Sequence, residues 1–289
     1  MKLRLAALAL AGLLLAGGAE AQPSEPGRPS VALRLDIGPA HRLGRGVHAE
    51  DVVFDAPSGA KVTGELVRGL GKGPHPGVLF VHWLGDPKTT NHTEFEPDAV
   101  ALARKGVTSL MVDTAWARPG WFDTVGKSAD ADVAQAREQL AELRRALDML
   151  QLQGVDPARI AYVGHDFGAM FGALLAGMDG RPRVFVLMAG APTMSQWYLL
   201  GKTHPDRTAY VAALDALDIR KSLQASHARG FLFQFASRDH YVKREDAAGF
   251  FEAAPLPRGL FTYDADHDLE TPQAHADRLA WLTEQLLGP

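Results

Sequence analysis

The stretch VDPARIAYVGHDFGA, residues 155–169, decides the fold of this 289-residue chain. Its apolar run over residues 159–163 predicts a strand buried on both faces, and residues 167–177 predict a helix that follows at once. The turn between them is GHDFG, residues 164–168. Its two glycines have a steric reason, because larger side chains there would collide with the neighbouring strand and helix. The stretch therefore predicts a sharp strand–turn–helix unit that carries one polar side chain at its apex.

Asp166 stands at the apex of this turn, where catalytic units of this shape more usually carry a serine. A lone Gly-x-Asp-x-Gly pattern is weak, and the strand–turn–helix context gives it meaning. The alternative interpretation is a structural turn in which Asp166 caps the following helix, which is a common role for aspartate.

Two further chemically active side chains also follow predicted strands. Asp239 comes after strand 230–236, and His267 comes after strand 259–263. In open α/β sheets, sites form at the carboxyl ends of strands. Each residue alone also fits a simpler role, Asp239 as a loop cap and His267 as a surface histidine. Together with Asp166, however, they occur in the order nucleophile, acid, histidine, which is typical of a catalytic triad.

The remaining chain alternates predicted strands and helices, which indicates an α/β fold with a mostly parallel sheet and helices on both faces. A hairpin of strands 47–55 and 61–68 precedes the alternation. We predict a single domain over residues 47–289, in which the less regular segment 191–228 is a short middle insertion and a candidate lid. The other predicted elements are strands 77–82, 107–113 and 183–189, and helices 95–105, 129–153 and 273–287.

Residues 1–21 have the features of a secretory signal peptide. A short basic start is followed by an apolar run over residues 5–17 and by a small-x-small cleavage site that ends at Ala21. The alternative is an uncleaved membrane anchor, but the run falls short of the ~20 apolar residues that span a bilayer. We therefore expect cleavage after Ala21 and an exported protein, periplasmic or secreted, without a membrane partner. Residues 22–46 are expected to form a leader and N-terminal segment.

Composition excludes several classes of protein. The chain is 46% hydrophobic and 22% charged, an ordinary globular composition. Its net charge is −4 and its lysines and arginines form no runs, so we expect no nucleic-acid partner. The absence of cysteine excludes disulfides, thiolate metal sites and a cysteine nucleophile. Because no phosphate-binding glycine loop or dinucleotide fingerprint occurs, we expect no cofactor, and we predict no metal site.

The quoted stretch, with SRDHYV at 237–242, DADHD at 264–268 and GVLFVHW at 77–83, resembles the α/β-hydrolase superfamily. The resemblance covers about residues 47–287 and implies an α/β-hydrolase fold with a small-molecule substrate. The order of elements and the short middle insertion are most similar to the dienelactone hydrolase and prolyl-oligopeptidase-like branch. The aspartate in the turn instead resembles epoxide hydrolases and haloalkane dehalogenases.

The resemblance implies that Asp166 is the nucleophile, His267 the base and Asp239 the acid that orients the histidine. A carboxylate that attacks an ester would form a high-energy anhydride. Attack on saturated carbon instead opens an epoxide or displaces a halide and leaves an alkyl ester, which His267 and water can hydrolyse. We therefore favour an epoxide-like or carbon–halogen substrate. Two alternatives stay open: a carboxylester hydrolase of dienelactone type, in which Asp166 has another role, and a non-catalytic binding protein.

The resemblance also implies an oxyanion hole, a pair of N–H donors that stabilise a negatively charged oxygen. The Phe167 N–H matches one donor, and the N–H of Trp83 or Leu84 matches the other. Trp83 replaces a glycine that is usual in this loop. His82 is a candidate substrate contact or a hydrogen-bonding residue beneath the loop.

Four aromatic residues are candidates for contacts with the substrate. Epoxide opening needs an acid for the departing oxygen, usually a tyrosine, and Tyr198 and Tyr241 are available. Halide departure needs N–H donors, usually tryptophans, and Trp116 and Trp197 are available. Each of the four has the alternative role of a packing aromatic.

Overall fold

The computed structural model describes residues 33–288, so the predicted signal peptide lies outside the described residues. Within that range, no helix is both long and apolar enough to cross a membrane. The strands are β1 Leu35–Gly44, β2 Val47–Asp55, β3 Lys61–Val67, β4 Gly77–Val81, β5 Thr108–Val112, β6 Ile160–His165, β7 Val184–Met188, β8 Gly230–Ala236 and β9 Arg258–Tyr263. The helices are α1 Glu96–Ala103, α2 Trp121–Thr124, α3 Ala129–Leu152, α4 Phe167–Ala176, α5 Met194–Leu199, α6 Arg207–Leu214, α7 Ile219–Gln224, α8 Arg244–Ala253 and α9 Pro272–Leu287.

The described strands form one sheet in the order β1-β2-β3-β5-β4-β6-β7-β8-β9. Strands β4 to β9 pair in parallel, and β1, β2 and β3 add an antiparallel end to the sheet. The predicted hairpin is confirmed, since β2 and β3 pair from Ala49↔Val67 to Asp55↔Lys61. The prediction of a mostly parallel sheet is confirmed as well. The carboxyl ends of the parallel strands therefore meet along one edge.

An apolar core lies on each face of this sheet. On one face, α3 packs through Leu140, Leu143 and Leu147, which all belong to the larger core. On the other face, α1 and α9 contribute Leu102 and Leu282. Helices on both faces bury strands β4 to β7 completely and β8 up to its last residue, which explains why these strands are continuous apolar runs rather than alternating ones. The edge strand β9 is partly exposed.

Three elements differ from the sequence expectation. Strand β1 lies within residues 22–46, where we expected a leader segment, and it pairs antiparallel with β2. Its sequence contains Gly38 and Pro39, at a register shift, and its side chains are mostly exposed, so it lacks the apolar alternation of a predictable strand. Helices α2 and α8 were not predicted, and the segment 191–228 contains the three short helices α5, α6 and α7.

Candidate active site

Asp166 lies in the turn between β6 and α4, with φ 55° and ψ −113°, a conformation that residues other than glycine rarely adopt. Its N–H donates to the Met188 carbonyl at 2.8 Å. A Cβ at Gly164 would come within 2.3 Å of the Gly168 carbonyl oxygen, and one at Gly168 within 2.2 Å of the Val81 carbonyl oxygen. The steric prediction for both glycines is confirmed. Their absent side chains bring the turn close to the loop that follows β4.

The two carboxylate oxygens of Asp166 have different surroundings. The Leu84 N–H donates to Oδ2 at 2.9 Å, and the neighbouring Phe167 N–H acts to lower the pKa of the carboxylate. Oδ1 is buried and has no hydrogen-bond partner among the described residues. One oxygen is therefore held by a backbone donor, while the other stays available.

His267 lies between Asp239 and Asp166. Its Nδ1 is 2.7 Å from Asp239 Oδ2, and its Nε2 is 4.0 Å from Asp166 Oδ1. Asp239 Oδ1 accepts the N–H groups of Tyr241 and Val242 at 2.8 and 2.9 Å. Because 4.0 Å is too long for a hydrogen bond, the imidazole is fixed at one nitrogen and faces Asp166 with the other.

The surroundings shift the pKa of all three groups. Burial raises the pKa of Asp166 to about 6, although the nearby His267 and the Leu84 N–H act against that rise. Burial also opposes ionisation of Asp239, but the hydrogen bond and charge of His267 outweigh it and hold the pKa below its usual range. For His267, burial acts to lower the pKa, but the hydrogen bond that the imidazole donates to Asp239 and the charge of Asp166 outweigh it and raise the pKa.

A cavity of about 360 Å³ opens in front of Asp166 and His267. Three aromatic residues of its wall surround the imidazole ring of His267, with ring centroids 5.0 Å away for Tyr241, 5.6 Å for Trp83 and 5.9 Å for Trp197. The sequence predicted Tyr241 and Trp197 as contacts, and both line the cavity. The remaining lining residues are Leu84, Gly85, Phe122 and Leu200.

Comparison with known proteins identifies the architecture. No family model and no curated protein matches the chain. An acetyl xylan esterase from Paenibacillus sp. R4 is similar in structure, with a TM-score of 0.72, 17% identity, and 88% of this chain and 90% of that chain covered. Acetyl xylan esterase 1 from Thermoanaerobacterium sp. JW/SL YS485 has a TM-score of 0.69, 14% identity and 89% of each chain covered. The alpha/beta hydrolase GrgF from Penicillium sp. sh18 has a TM-score of 0.60, 16% identity, and 83% and 99% covered.

The chain has the α/β-hydrolase fold. At these identities the similarity establishes the fold alone, so what the site does has to be argued from its own residues.

In this α/β-hydrolase fold the loop after β4 contributes one backbone donor to Asp166. The Trp83 N–H, which was one of two predicted donors, instead donates to Glu94 Oε2 at 2.9 Å. The Leu84 N–H, which was the other, reaches Asp166. His82 lies beneath the loop, where its Nδ1–H donates to the Trp83 carbonyl at 2.8 Å. The indole side chain of Trp83 remains part of the cavity wall.

The structure corrects the expectation of substrate contact for His82, Trp116 and Tyr198, because none of them lines the cavity. The Trp116 N–H donates to the His82 carbonyl at 3.2 Å, and its ring stacks on Phe171 at 5.4 Å. Tyr198 is buried and packs edge-on against Phe167 at 5.6 Å. These residues pack behind the loop that follows β4 and behind the turn at Asp166.

Sequence reasoning missed a second carboxylate–histidine pair beneath the site. His165 is fully buried, with Nδ1 2.8 Å from Glu94 Oε1 and Nε2 2.9 Å from the His267 carbonyl oxygen. Glu94 also accepts the Trp83 N–H, so this pair ties together the loops that carry Trp83, Asp166 and His267. The only sequence signal for it was the place of His165 next to Asp166 in the turn.

Proposed function

We propose that this protein is a hydrolase in which Asp166 attacks a saturated carbon of a small molecule, at an epoxide-like or carbon–halogen centre. The observation that carries the proposal is the 2.9 Å hydrogen bond from the Leu84 N–H to Asp166 Oδ2. A serine-type ester hydrolase leaves such donors free for the substrate's carbonyl oxygen. Here the Leu84 N–H already donates to an oxygen of Asp166. This arrangement suits a nucleophile that is itself a carboxylate, because its second oxygen needs such a donor.

In the first step, Asp166 Oδ1 forms a bond to the substrate carbon, and the bond from that carbon to the leaving group breaks. The leaving group takes the electron pair. Two residues of the cavity wall can assist its departure. The buried indole N–H of Trp197 has no hydrogen-bond partner among the described residues, so it can donate to a halide or an oxygen. The Tyr241 hydroxyl can donate a proton to an opening epoxide.

In the second step, His267 Nε2 takes a proton from water while the water oxygen attacks Cγ of the alkyl-enzyme ester. The negative charge then develops on Oδ2, where the N–H groups of Leu84 and Phe167 stabilise it. Collapse of this intermediate expels the product as an alkoxide, which takes the proton back from His267. Asp239 stabilises the imidazolium that exists between these two proton transfers. The Asp166 carboxylic acid that remains then loses its proton, to the Tyr241 phenolate after epoxide opening or to water after halide displacement, and the nucleophile is regenerated.

The charge state of Asp166 fits the proposed attack. Burial raises its pKa to about 6, so the carboxylate is mostly ionised at neutral pH and is less well solvated than a surface aspartate. A poorly solvated carboxylate is a better nucleophile, because water competes less for its lone pairs.

Ester hydrolysis is the second candidate function. Two of the similar solved structures are described as acetyl xylan esterases, which favours a carboxylester substrate. A substrate carbonyl oxygen would then need the donors that hold Asp166 Oδ2, so Asp166 would have to turn away and act in a role other than attack. That conflict makes the carbon-centred reaction our preferred proposal.

Export is part of the proposal, and it rests on the signal peptide predicted over residues 1–21 and on cleavage after Ala21. The substrate would then be a small molecule that the protein meets outside the cytoplasm. The proposal requires no cofactor, since each step uses only side chains, backbone N–H groups and water.

The test is the intact mass of His267→Gln, with peptide mapping, after exposure to styrene oxide, 1-bromobutane and 4-nitrophenyl acetate. Without its base, the protein should form the alkyl ester but hydrolyse it too slowly to lose it. We expect a stoichiometric adduct on the peptide that contains Asp166, with a mass equal to the whole epoxide or to the alkyl group without bromide. The matched control is Asp166→Asn combined with His267→Gln, which should gain no mass.

The other outcomes distinguish the alternatives. If no compound labels Asp166 while the wild type cleaves 4-nitrophenyl acetate, covalent aspartate catalysis is wrong and the esterase is favoured. If the wild type turns over none of these compounds and is only stabilised against heat by them, the protein is a binding protein with a hydrolase scaffold.

A further inference from the structure

A group of metal-ligating side chains lies at the antiparallel end of the sheet, outside the candidate active site. His41 of β1, Asp51 of β2 and Glu65 of β3 each offer one ligand atom, and these atoms all lie within 4.8 Å of one another. Asp51 and Glu65 are direct cross-strand partners, and His41 lies opposite Ala49. Since alternate residues of a strand share a face, the three side chains project from the same face of the sheet.

The two carboxylates face each other, and one oxygen of Glu65 lacks a partner among the described residues. Like charges directly opposite each other across two strands repel. Glu65 is 5% exposed, and its Oε2 is buried without a hydrogen-bond partner among the described residues. Its other oxygen, Oε1, lies 3.3 Å from Nε2 of His41. A buried carboxylate oxygen without a donor is costly, so this arrangement favours an additional positive charge.

A second imidazole faces the same carboxylate. His92 Nε2 lies 3.8 Å from Glu65 Oε1, while His92 Nδ1 lies 2.8 Å from Asp113 Oδ1. Metal-ligating histidines typically donate their other ring nitrogen to a carboxylate, which fixes the tautomer and the direction of the ring. Asp113 accepts the hydrogen bond from His92 Nδ1 in the same way, and this contact orients the ring so that Nε2 points at Glu65.

We propose that His41, Asp51 and Glu65, with His92 as a fourth ligand, form a site for a divalent transition-metal ion of the Zn²⁺ type. Imidazole nitrogen together with carboxylate oxygen is a ligand set that Zn²⁺ accepts, whereas Ca²⁺ prefers oxygen alone. The ion would satisfy the buried Glu65 oxygen and separate the two opposed carboxylates. It would also crosslink β1 and β2 to β3, and so stabilise the edge of the sheet.

This inference departs from the sequence expectation of no metal. The four ligands come from residues 41, 51, 65 and 92, and no two of them have the close spacing that marks a metal-binding motif. The pairing of β2 with β3 brings them together, so the group becomes visible only in the folded chain. The inference is independent of the proposed reaction.

The experiment is a calorimetric titration of the chelator-treated full chain with ZnCl₂, together with melting temperatures at increasing ZnCl₂. We expect one saturable Zn²⁺ per chain and a melting temperature that rises with the metal concentration. Glu65→Gln keeps the size of the side chain but removes the charge, and it should weaken binding by at least tenfold. His41→Ala changes a half-exposed residue, so it should fold normally and weaken binding as well.

The matched controls are His48→Ala and Glu50→Gln. They change the same residue types at positions of β2 outside the proposed site, and both variants should bind Zn²⁺ like the wild type. His267→Gln should also bind like the wild type, because the proposed site does not include the candidate active site. The proposal is overturned if the wild type shows no saturable binding or if Glu65→Gln and His41→Ala bind as tightly as the wild type. Loss of binding in His267→Gln would assign the ion to the candidate active site and would equally overturn the proposal.

Discussion

Two carboxylate–histidine pairs lie side by side in this molecule, one at the cavity wall and one beneath it, with their imidazole centroids 5.5 Å apart. At the wall, His267 is bound to Asp239 through Nδ1, and its Nε2 faces Asp166. Beneath it, His165 has both nitrogens engaged, one by Glu94 and one by the carbonyl of His267. The two pairs contain the same chemical groups and differ in whether one imidazole nitrogen is left over.

That difference separates a reacting group from a positioning group. An imidazole with one open nitrogen can take a proton from water and return it. An imidazole with acceptors at both nitrogens is held in place, and it transmits that rigidity to the loops it joins. We therefore expect changes to the wall pair to affect the chemistry, and changes to the buried pair to affect geometry.

The largest expected effect comes from breaking the wall pair with Asp239→Asn. Asparagine keeps the shape of the side chain but no longer stabilises the imidazolium or its tautomer. Turnover of the substrate that labels His267→Gln should fall by about 10⁴-fold. Steady-state kcat measures this fall, and Asp130→Asn, at the exposed start of α3, is the control that should retain wild-type turnover. A fall of less than tenfold would mean that the pair is structural.

The second largest expected effect is on stability, and it comes from removing the buried charge of Asp166, which faces the wall pair. Asp166 has a folded-state pKa of about 6 against an ordinary value of 3.8, so its ionisation opposes folding. This cost in folding free energy is absent below about pH 4, where Asp166 is protonated in both states. It grows between pH 4 and 6 and is complete above pH 6. Asp166→Asn should therefore raise the free energy of unfolding by roughly 2 kcal/mol at pH 7.5 while it abolishes turnover.

Thermal melts of wild type and Asp166→Asn at pH 7.5 and pH 4.5 test this pH dependence. The gain in melting temperature should be about 4–8 °C at pH 7.5 and clearly smaller at pH 4.5. An equal gain at both pH values would show that the variant relieves something other than the buried charge.

The smallest expected effect comes from breaking the buried pair with Glu94→Gln. Glutamine has one acceptor oxygen in place of two, so it cannot hold both His165 and the Trp83 N–H. The Trp83 loop should then shift the Leu84 donor slightly, which we expect to lower kcat about tenfold and leave KM within twofold. Glu96→Gln, two residues away, is the control.

The pH profile separates positioning from proton transfer at this pair. A positioning role predicts that the pH profile of Glu94→Gln keeps the wild-type shape at a lower height. A profile whose shape changes would mean that Glu94 takes part in proton transfer, and the distinction between the two pairs would then be wrong.

Local sequence patterns were sufficient to predict the fold and three residues of the candidate site, Asp166, Asp239 and His267. The turn at Asp166 could be predicted because its glycines, the strand before it and the helix after it are contiguous in sequence. The central parallel strands were predictable because burial on both faces makes them continuous apolar runs. Asp239 could be predicted because it follows one of them, β8, and His267 because it follows the next predicted strand, β9.

What the sequence could not provide depends on contacts between distant segments. Glu94 and His165 are 71 residues apart, and no local pattern indicates that they meet. The sequence was also insufficient to place Trp116 and Tyr198, because the direction in which a side chain points depends on the packing around it. Both point into the core, while Trp197, next to Tyr198 in sequence, faces the cavity.

The bond from His165 to the carbonyl of His267 has a further consequence. The protein fixes the loop at position 267 by its main chain, and any residue placed there still presents that carbonyl oxygen. The position of residue 267, the proposed base, is thus set independently of which side chain it carries. Residue 267 can therefore be replaced by glutamine, asparagine or an unnatural imidazole analogue, and the loop keeps its hydrogen bond to His165.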